Sequence, residues 1–195
     1  YDTDAIVTLV QLLEAETQQT GTVGIGIPGA ISPATDLVKN ANSTWLIGKP
    51  LHTNLQQALS RPVRIENDAN CFVVSEATDG AASGADVVFG VIIGTGTGGG
   101  IYVRGKDIIG TNAIAGEWGH NPLPWPQAEE LPGPACYCGL HGCIETWLSG
   151  PGLALDHAEH TGANSTAVNI AANAAAGVAA ARASLERYAN RMARA

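Results

Sequence analysis

The chain has 195 residues, with 10 Lys and Arg against 18 Asp and Glu, a formal charge of −8. Charged residues make up only 14% of it, against roughly 25% in an ordinary soluble domain, whereas its 24 glycines (about 12%) exceed the usual ~7%. The acidic balance and the lack of any Lys/Arg-rich run leave no field to attract phosphates, so neither nucleic acid nor an anionic membrane surface is an expected partner. The longest apolar runs, such as Val87–Ile93, fall far short of the ~20 residues that span a bilayer, and no secretory leader is expected. The expected compartment is the cytoplasm. The length suits one domain or parts of two. Three of the four cysteines lie within Cys136–Cys143, which points to a metal site and away from a disulfide framework.

Ile6, Val7, Leu9, Val10, Leu12 and Leu13 form a broad stripe at helical spacing that ends in the polar run Thr17–Gly21. Thr22–Ile27 alternates β-branched residues with glycine and stops at Pro28-Gly29, a strand running into a loop. The Asn-rich stretch Leu37–Trp45 reads as a binding loop, and Thr53–Leu59 as a short helix. Val63–Ile65 is a short strand that delivers Glu66-Asn67-Asp68-Ala69-Asn70 to a helical stripe of Cys71, Val74, Ser75, Ala77 and Thr78. Cys71, on the apolar face of that pattern, is expected in the core. Val87–Ile93 is a continuous β-branched run of the kind buried on both faces. It enters the glycine run Gly94–Gly100, after which Ile101–Val103 and Asp107–Ile109 keep β propensity, so a hairpin with a Gly-rich turn is predicted. Five prolines between Asn121 and Pro134 mark an irregular excursion. Ten of the seventeen residues in Ala167–Ala183 are alanine, which predicts a long helix with small side chains.

Gly94-x-Gly96-x-x-Gly99 matches a dinucleotide fingerprint in form, but that motif needs a helix to open at the loop, and a strand is predicted there. Gly100-x4-Gly105-Lys106 approaches the P-loop pattern, yet Asp107 stands where a hydroxyl should ligate Mg²⁺. What remains is a Gly/Thr hairpin whose exposed N–H groups and hydroxyls can cradle phosphates. Asp68 follows a strand at a predicted helix start, where an N-cap is the simplest role. Its companions Asn67 and Asn70 suggest another, with Asp68 accepting a proton from a substrate hydroxyl while Asn67 holds a neighbouring one. Glu117, His120 and Glu145 are carboxylate and imidazole groups suited to a polyol pocket. Cys136-x-Cys138-x4-Cys143 supplies three thiolates for a closed tetrahedral Zn²⁺ site, and side-chain chemistry leaves either His120 or His141 as the fourth ligand.

Gly24-Ile25-Gly26-Ile27-Pro28-Gly29, Glu66–Asn70, Gly94–Gly100, Gly116-Glu117-Trp118-Gly119-His120 and Cys136–Glu145, in this order, resemble the ROK group of bacterial sugar kinases and sugar-responsive repressors. The wording around Lys39–Leu46 and His120–Trp125 is similar to its fructokinase or mannofructokinase branch. The resemblance implies an α/β, actin-like ATPase (ribonuclease H-like) fold with two lobes and a cleft between them, residues 1–84 belonging to the smaller lobe and 85–195 to the larger. It implies ATP-dependent phosphorylation of a hexose, fructose first, with Asp68 as general base. Gly29, Asn67, Glu117, His120 and Glu145 would bind sugar, and Gly94, Thr95, Gly96, Thr97, Gly98 and Gly99 the phosphates of Mg²⁺-ATP. His120 would join Cys136, Cys138 and Cys143 on a structural Zn²⁺, and a homodimer is implied. The family's opening Asp-x-Gly-Gly-Thr loop and its closing adenosine-binding Gly-Gly motif have no counterpart here, so an incomplete copy that turns over poorly is expected. The sugar-sensing domain of a repressor and a zinc-stabilised, non-catalytic oligomerisation module are the alternatives.

Overall fold

The computed structural model describes residues 3–41 and 43–195; Tyr1, Asp2 and Asn42, the last within the Asn-rich loop, lie outside them. The chain divides into two compact units, one holding the residues up to Gly90 together with Gly100–Gly116, the other Val91–Gly99 with Glu117–Ala195. None of the described helices is long and apolar enough to cross a membrane.

In the first unit α1 (Thr3–Thr17) is followed by β1 (Val23–Ile27), the short ribbon of β2 (Ala30–Ile31) and β3 (Val38–Lys39), α2 (Leu51–Leu59), β4 (Val63–Asn67) and α3 (Asp68–Thr78). Strands β1 and β4 pair in parallel, with Ile25 opposite Ile65 and Ile27 opposite Asn67. A parallel pair needs a crossover, here supplied by the ribbon and α2. Because both strands end together, the Pro28-Gly29 loop and the Asn67–Asp68 turn open at the same edge. Ile27, Val38, Leu51, Leu55 and Val63 form the core beneath, with Ile6 and Val7 of α1 packed against it. The helical stripe of α1 is wider than the face it covers, and Leu9, Leu12 and Leu13 stay exposed.

Two expectations fail in or near this unit. In α3 the buried positions are Ala69, Asn70, Val73 and Ala77, so Cys71 faces outward and is exposed. The inward face runs through Ala69, Val73 and Ala77 at i, i+4 spacing, on a different side of the helix from Cys71, Val74, Ser75 and Thr78. Strand β5 (Val87–Ile93) lies at the edge of a three-stranded sheet ordered β5-β6-β7, where β6 is Thr97–Val103 and β7 Lys106–Asp107. Val87, Phe89, Val91 and Ile93 on it are exposed, so the run is not buried on both faces. The glycines of β6 have a packing role of their own: a Cβ on Gly100 would meet the Ala69 carbonyl oxygen at 2.6 Å. Only glycine lets α3 cross the strand at that distance.

The second unit is mainly helical: α4 (Ile144–Leu148), α5 (Gly150–Thr161), α6 (Ala167–Ala175) and α7 (Ala179–Arg194). The alanine-rich segment is therefore two helices and not one. Gly177, at φ +91°, ends α6 in the left-handed region that glycine adopts without strain, and α7 starts two residues later. Small alanines let α6 and α7 pack closely around Leu153, Ile170, Ala174 and Ala181. A second cluster joins Leu123, Ile144, Trp147 and Leu148, against which Trp118, Tyr188 and Met192 pack. Buried charge anchors α7. Arg191 donates to Glu130 and to Asp156 at 2.8 Å each and stacks 4.3 Å over the Trp147 ring. Arg187 adds a bidentate pair to Asp156, and Arg194 one to Glu130. Burial raises the Glu130 carboxyl, but bonds from Arg194, the Gln127 N–H and Arg191 outweigh it and hold the pKa down to about 2.

Candidate functional site

The first group of site residues is built on the β4–α3 turn. Asn67, not Asp68, is the N-cap: its Oδ1 accepts from the N–H groups of Ala69 (2.9 Å) and Asn70 (3.1 Å), while its Nδ2 donates to the Gly29 carbonyl at 3.0 Å. Those bonds occupy the amide apart from one Nδ2 hydrogen, the part of Asn67 left to meet a ligand hydroxyl. Relieved of capping, Asp68 is the first residue of α3, exposed, with Oδ1 taking, among the described residues, the Ala69 N–H at 2.9 Å. Gly29 holds φ +114°, and a Cβ there would stand 2.6 Å from the Lys39 carbonyl oxygen, so the residue must be glycine for its own carbonyl to reach Asn67.

Glu66, quoted only as a motif letter, and Asn70, the companion of Asp68, support this turn. Glu66 Oε1 accepts from the Asn67 N–H (2.8 Å) and from Asn70 Nδ2 (3.0 Å), and Asn70, 5% exposed, keeps an unpartnered buried Oδ1. The i, i+4 spacing of Glu66 and Asn70 across the helix start is the signal that could have revealed the pair.

In the second unit the glycine hairpin turns through Gly94, Thr95 and Gly96, and Thr97, Gly98 and Gly99 are already in β6. A strand follows the glycines, which disposes of the dinucleotide and P-loop readings. The hairpin is laced to the other candidate residues. The Thr97 N–H donates to Glu145 Oε2 at 2.9 Å, Thr97 Oγ1 to the Leu148 carbonyl at 3.0 Å, and Trp118 Nε1 to the Gly98 carbonyl at 2.8 Å. The Gly150 N–H closes on the Gly94 carbonyl at 2.8 Å. Glu145 sits in the first turn of α4 with its own N–H on the Gly119 carbonyl (2.8 Å), which ties it to the segment carrying Glu117 and His120. Glu117 itself is exposed.

His120, Cys136, Cys138 and Cys143 converge, each offering a ligand atom within 4.8 Å of all the others; His141 is not among them. His120 Nδ1 lies 3.4 Å from Cys136 Sγ, and Cys138 Sγ lies 3.6 Å from Cys143 Sγ. A Zn²⁺ tetrahedron with Zn–S of ~2.3 Å and Zn–N of ~2.0 Å has S–N edges of about 3.5 Å and S–S edges of about 3.8 Å, so the donor set fits that ion. Burial, and then the neighbouring Cys138 and Cys136 sulfurs, push the Cys143 thiol up to about 12, whereas the Leu140 N–H is the main cause that lowers Cys138. The other imidazole nitrogen, Nε2, is 2.9 Å from the Tyr137 hydroxyl.

The model of the ROK family matches residues 3–195. This chain belongs to the ROK family. A relative in Pectobacterium carotovorum subsp. carotovorum, named N-acetyl-D-glucosamine kinase, is 46% identical over 160 residues, covering 78% of this chain and 52% of its own length. The chain thus spans about half the length of that relative. Among solved structures, the ROK hexokinase of Thermus thermophilus aligns with a TM-score of 0.79 at 28% identity, over 97% of this chain and 61% of that one. The ROK glucokinase of Streptomyces griseus, in complex with glucose and AMPPNP, aligns with a TM-score of 0.71 at 28% identity, over 96% and 65%. The fold of this ROK chain is accordingly the α/β, actin-like ATPase fold.

Proposed function

We propose that the protein carrying this chain transfers the γ-phosphoryl group of ATP to a hexose hydroxyl in the cytoplasm. The observation that carries the reading is the exposed Asp68 carboxylate at the first position of α3, released from capping by Asn67, in a chain of a family whose relatives are named as sugar kinases. Asp68 takes the proton from the sugar hydroxyl as that oxygen forms its bond to the γ-phosphorus; the bond from that phosphorus to the bridging oxygen breaks, and ADP leaves. Mg²⁺ enters with the nucleotide and offsets phosphate charge. Gly29, Asn67, Glu117, His120 and Glu145 take the sugar hydroxyls, and residues 94–99 present N–H groups and hydroxyls to the phosphates. Residues 1–84 are assigned to the smaller lobe and 85–195 to the larger, and a homodimer is part of the same reading. His120, Cys136, Cys138 and Cys143 would hold a structural Zn²⁺, whose charge would favour the thiolate of Cys143 and lock the loop between Pro122 and Glu145.

For the sugar, N-acetyl-D-glucosamine comes first because the 46%-identical relative bears that name. Fructose, implied by the Lys39–Leu46 and His120–Trp125 wording, comes second. The test is Asp68→Asn in the complete protein. Turnover should fall by about 10²–10⁴-fold, the usual contribution of a general base, while calorimetry shows sugar affinity kept. Retained turnover would overturn the assignment of Asp68. Metal analysis is expected to return one zinc per chain, lost on chelation together with thermal stability.

A further inference from the structure

Thr97 is hydrogen-bonded through its N–H and its hydroxyl to residues outside its own strand. Its N–H goes to Glu145 Oε2, its Oγ1 to the Leu148 carbonyl, and its carbonyl oxygen lies so close to the Gly119 Cα that a Cβ there would collide with it. The residue is 6% exposed, and the Leu148 carbonyl also accepts from Tyr188 Oη of α7 at 2.9 Å. Thr97 is also the residue at which the glycine turn becomes strand. The hairpin therefore cannot shift without moving the Glu145 carboxylate, and the carboxylate cannot reorient without releasing the hairpin. Glu145 Oε2 is engaged in this way, whereas its Oε1 takes no hydrogen bond from a described residue.

We propose that Thr97 is a positioning residue that couples the two substrates through the Thr97–Glu145 hydrogen bond, an inference that rests on the kinase reading. A sugar hydroxyl donated to Oε1 holds the carboxylate in one rotamer. Oε2 then becomes a fixed acceptor for the Thr97 N–H, and the hairpin presents its N–H groups to phosphates already ordered. Linkage requires the converse, so nucleotide on the hairpin tightens sugar binding by the same factor.

The measurement is the affinity of the complete protein for AMPPNP by calorimetry, with and without saturating N-acetyl-D-glucosamine or fructose, whichever binds. In the parent protein the sugar should tighten AMPPNP by at least about fivefold, the lower end of ordinary coupling. Thr97→Val keeps the shape and removes the hydroxyl that anchors the residue to Leu148, and the factor should fall below about twofold. Thr97→Ser retains the hydroxyl and should restore it. A merely structural role would change melting temperature or both binary affinities and leave the coupling factor untouched. No coupling in the parent protein, or an undiminished factor in Thr97→Val, overturns the proposal. Failure of the parent to bind any hexose instead overturns the kinase reading beneath it.

Discussion

The two regions that carry the candidate residues are held in opposite ways. At the β4–α3 turn the bonds among Glu66, Asn67, Asp68, Ala69 and Asn70 span one to four residues, and one longer tie runs from Asn67 to Gly29. In the second unit Thr97 reaches Glu145 and Leu148, and Arg191 reaches Glu130 and Asp156, across 35 to 61 residues. A local site is set by a strand ending and a helix beginning, so it tolerates damage elsewhere. A site held by distant partners depends on the helices that carry them, and a loss at α7 should spread.

The contrast breaks most easily at Arg191. Arg191→Ala leaves Glu130 and Asp156 buried with one guanidinium fewer and uncovers Trp147. The expected loss is about 3–5 kcal/mol, read by denaturant unfolding followed through tryptophan fluorescence. Should the variant unfold as the parent does, α7 is not the anchor described here.

Acid should reach the same network. The folded pKa of Glu130 is depressed from 4.5 to about 2, and Asp156 is also held below its usual value: burial raises it, but Arg187 and then Arg191 outweigh that. A depressed carboxylate stabilises above its unfolded pKa and loses that contribution as pH falls through the folded one. Stability of the second unit should therefore decline between about pH 4.5 and 2, by roughly 3 kcal/mol from Glu130. A flat profile over that range would contradict the pairing.

Smaller effects are expected at the local site. Asn67→Ala removes the cap of α3 and should cost about 1 kcal/mol, seen as roughly fivefold faster hydrogen exchange at the first α3 amides. Asp68→Asn is an exposed change that keeps an acceptor for the Ala69 N–H, and stability should stay within about 0.5 kcal/mol by thermal unfolding. If Asn67→Ala leaves exchange at those amides unchanged, Asn67 is not the cap.

How far the sequence revealed all this follows the same division. The strand, polar turn and helix around Asp68 were legible because each step is local, and only the identity of the cap was missed: Asn and Asp cap equally well, so the choice rests on a one-residue difference in where α3 starts. The cysteine cluster was legible for the same reason, its thiols lying within one loop, although His120 was singled out over His141 by family resemblance and not by chemistry. The break at Gly177 carried a signal, a glycine where a helix C-terminus would place one, but the surrounding alanines outweighed it. Helix α5 went unread despite Ser149 at its N-cap, Pro151 in its first turn and Gly162 just past its end. The Thr97–Glu145 bond left no trace at all, since its donor is a backbone N–H that every non-proline residue possesses.

The most direct test of the account is an ADP-release assay of the complete protein with Mg-ATP over N-acetyl-D-glucosamine, fructose, mannose and glucose. The account predicts ADP formation that depends on one of these hexoses and yields one sugar phosphate per ADP. Hexose binding with no sugar-dependent ADP release would contradict it and place the chain among sugar sensors.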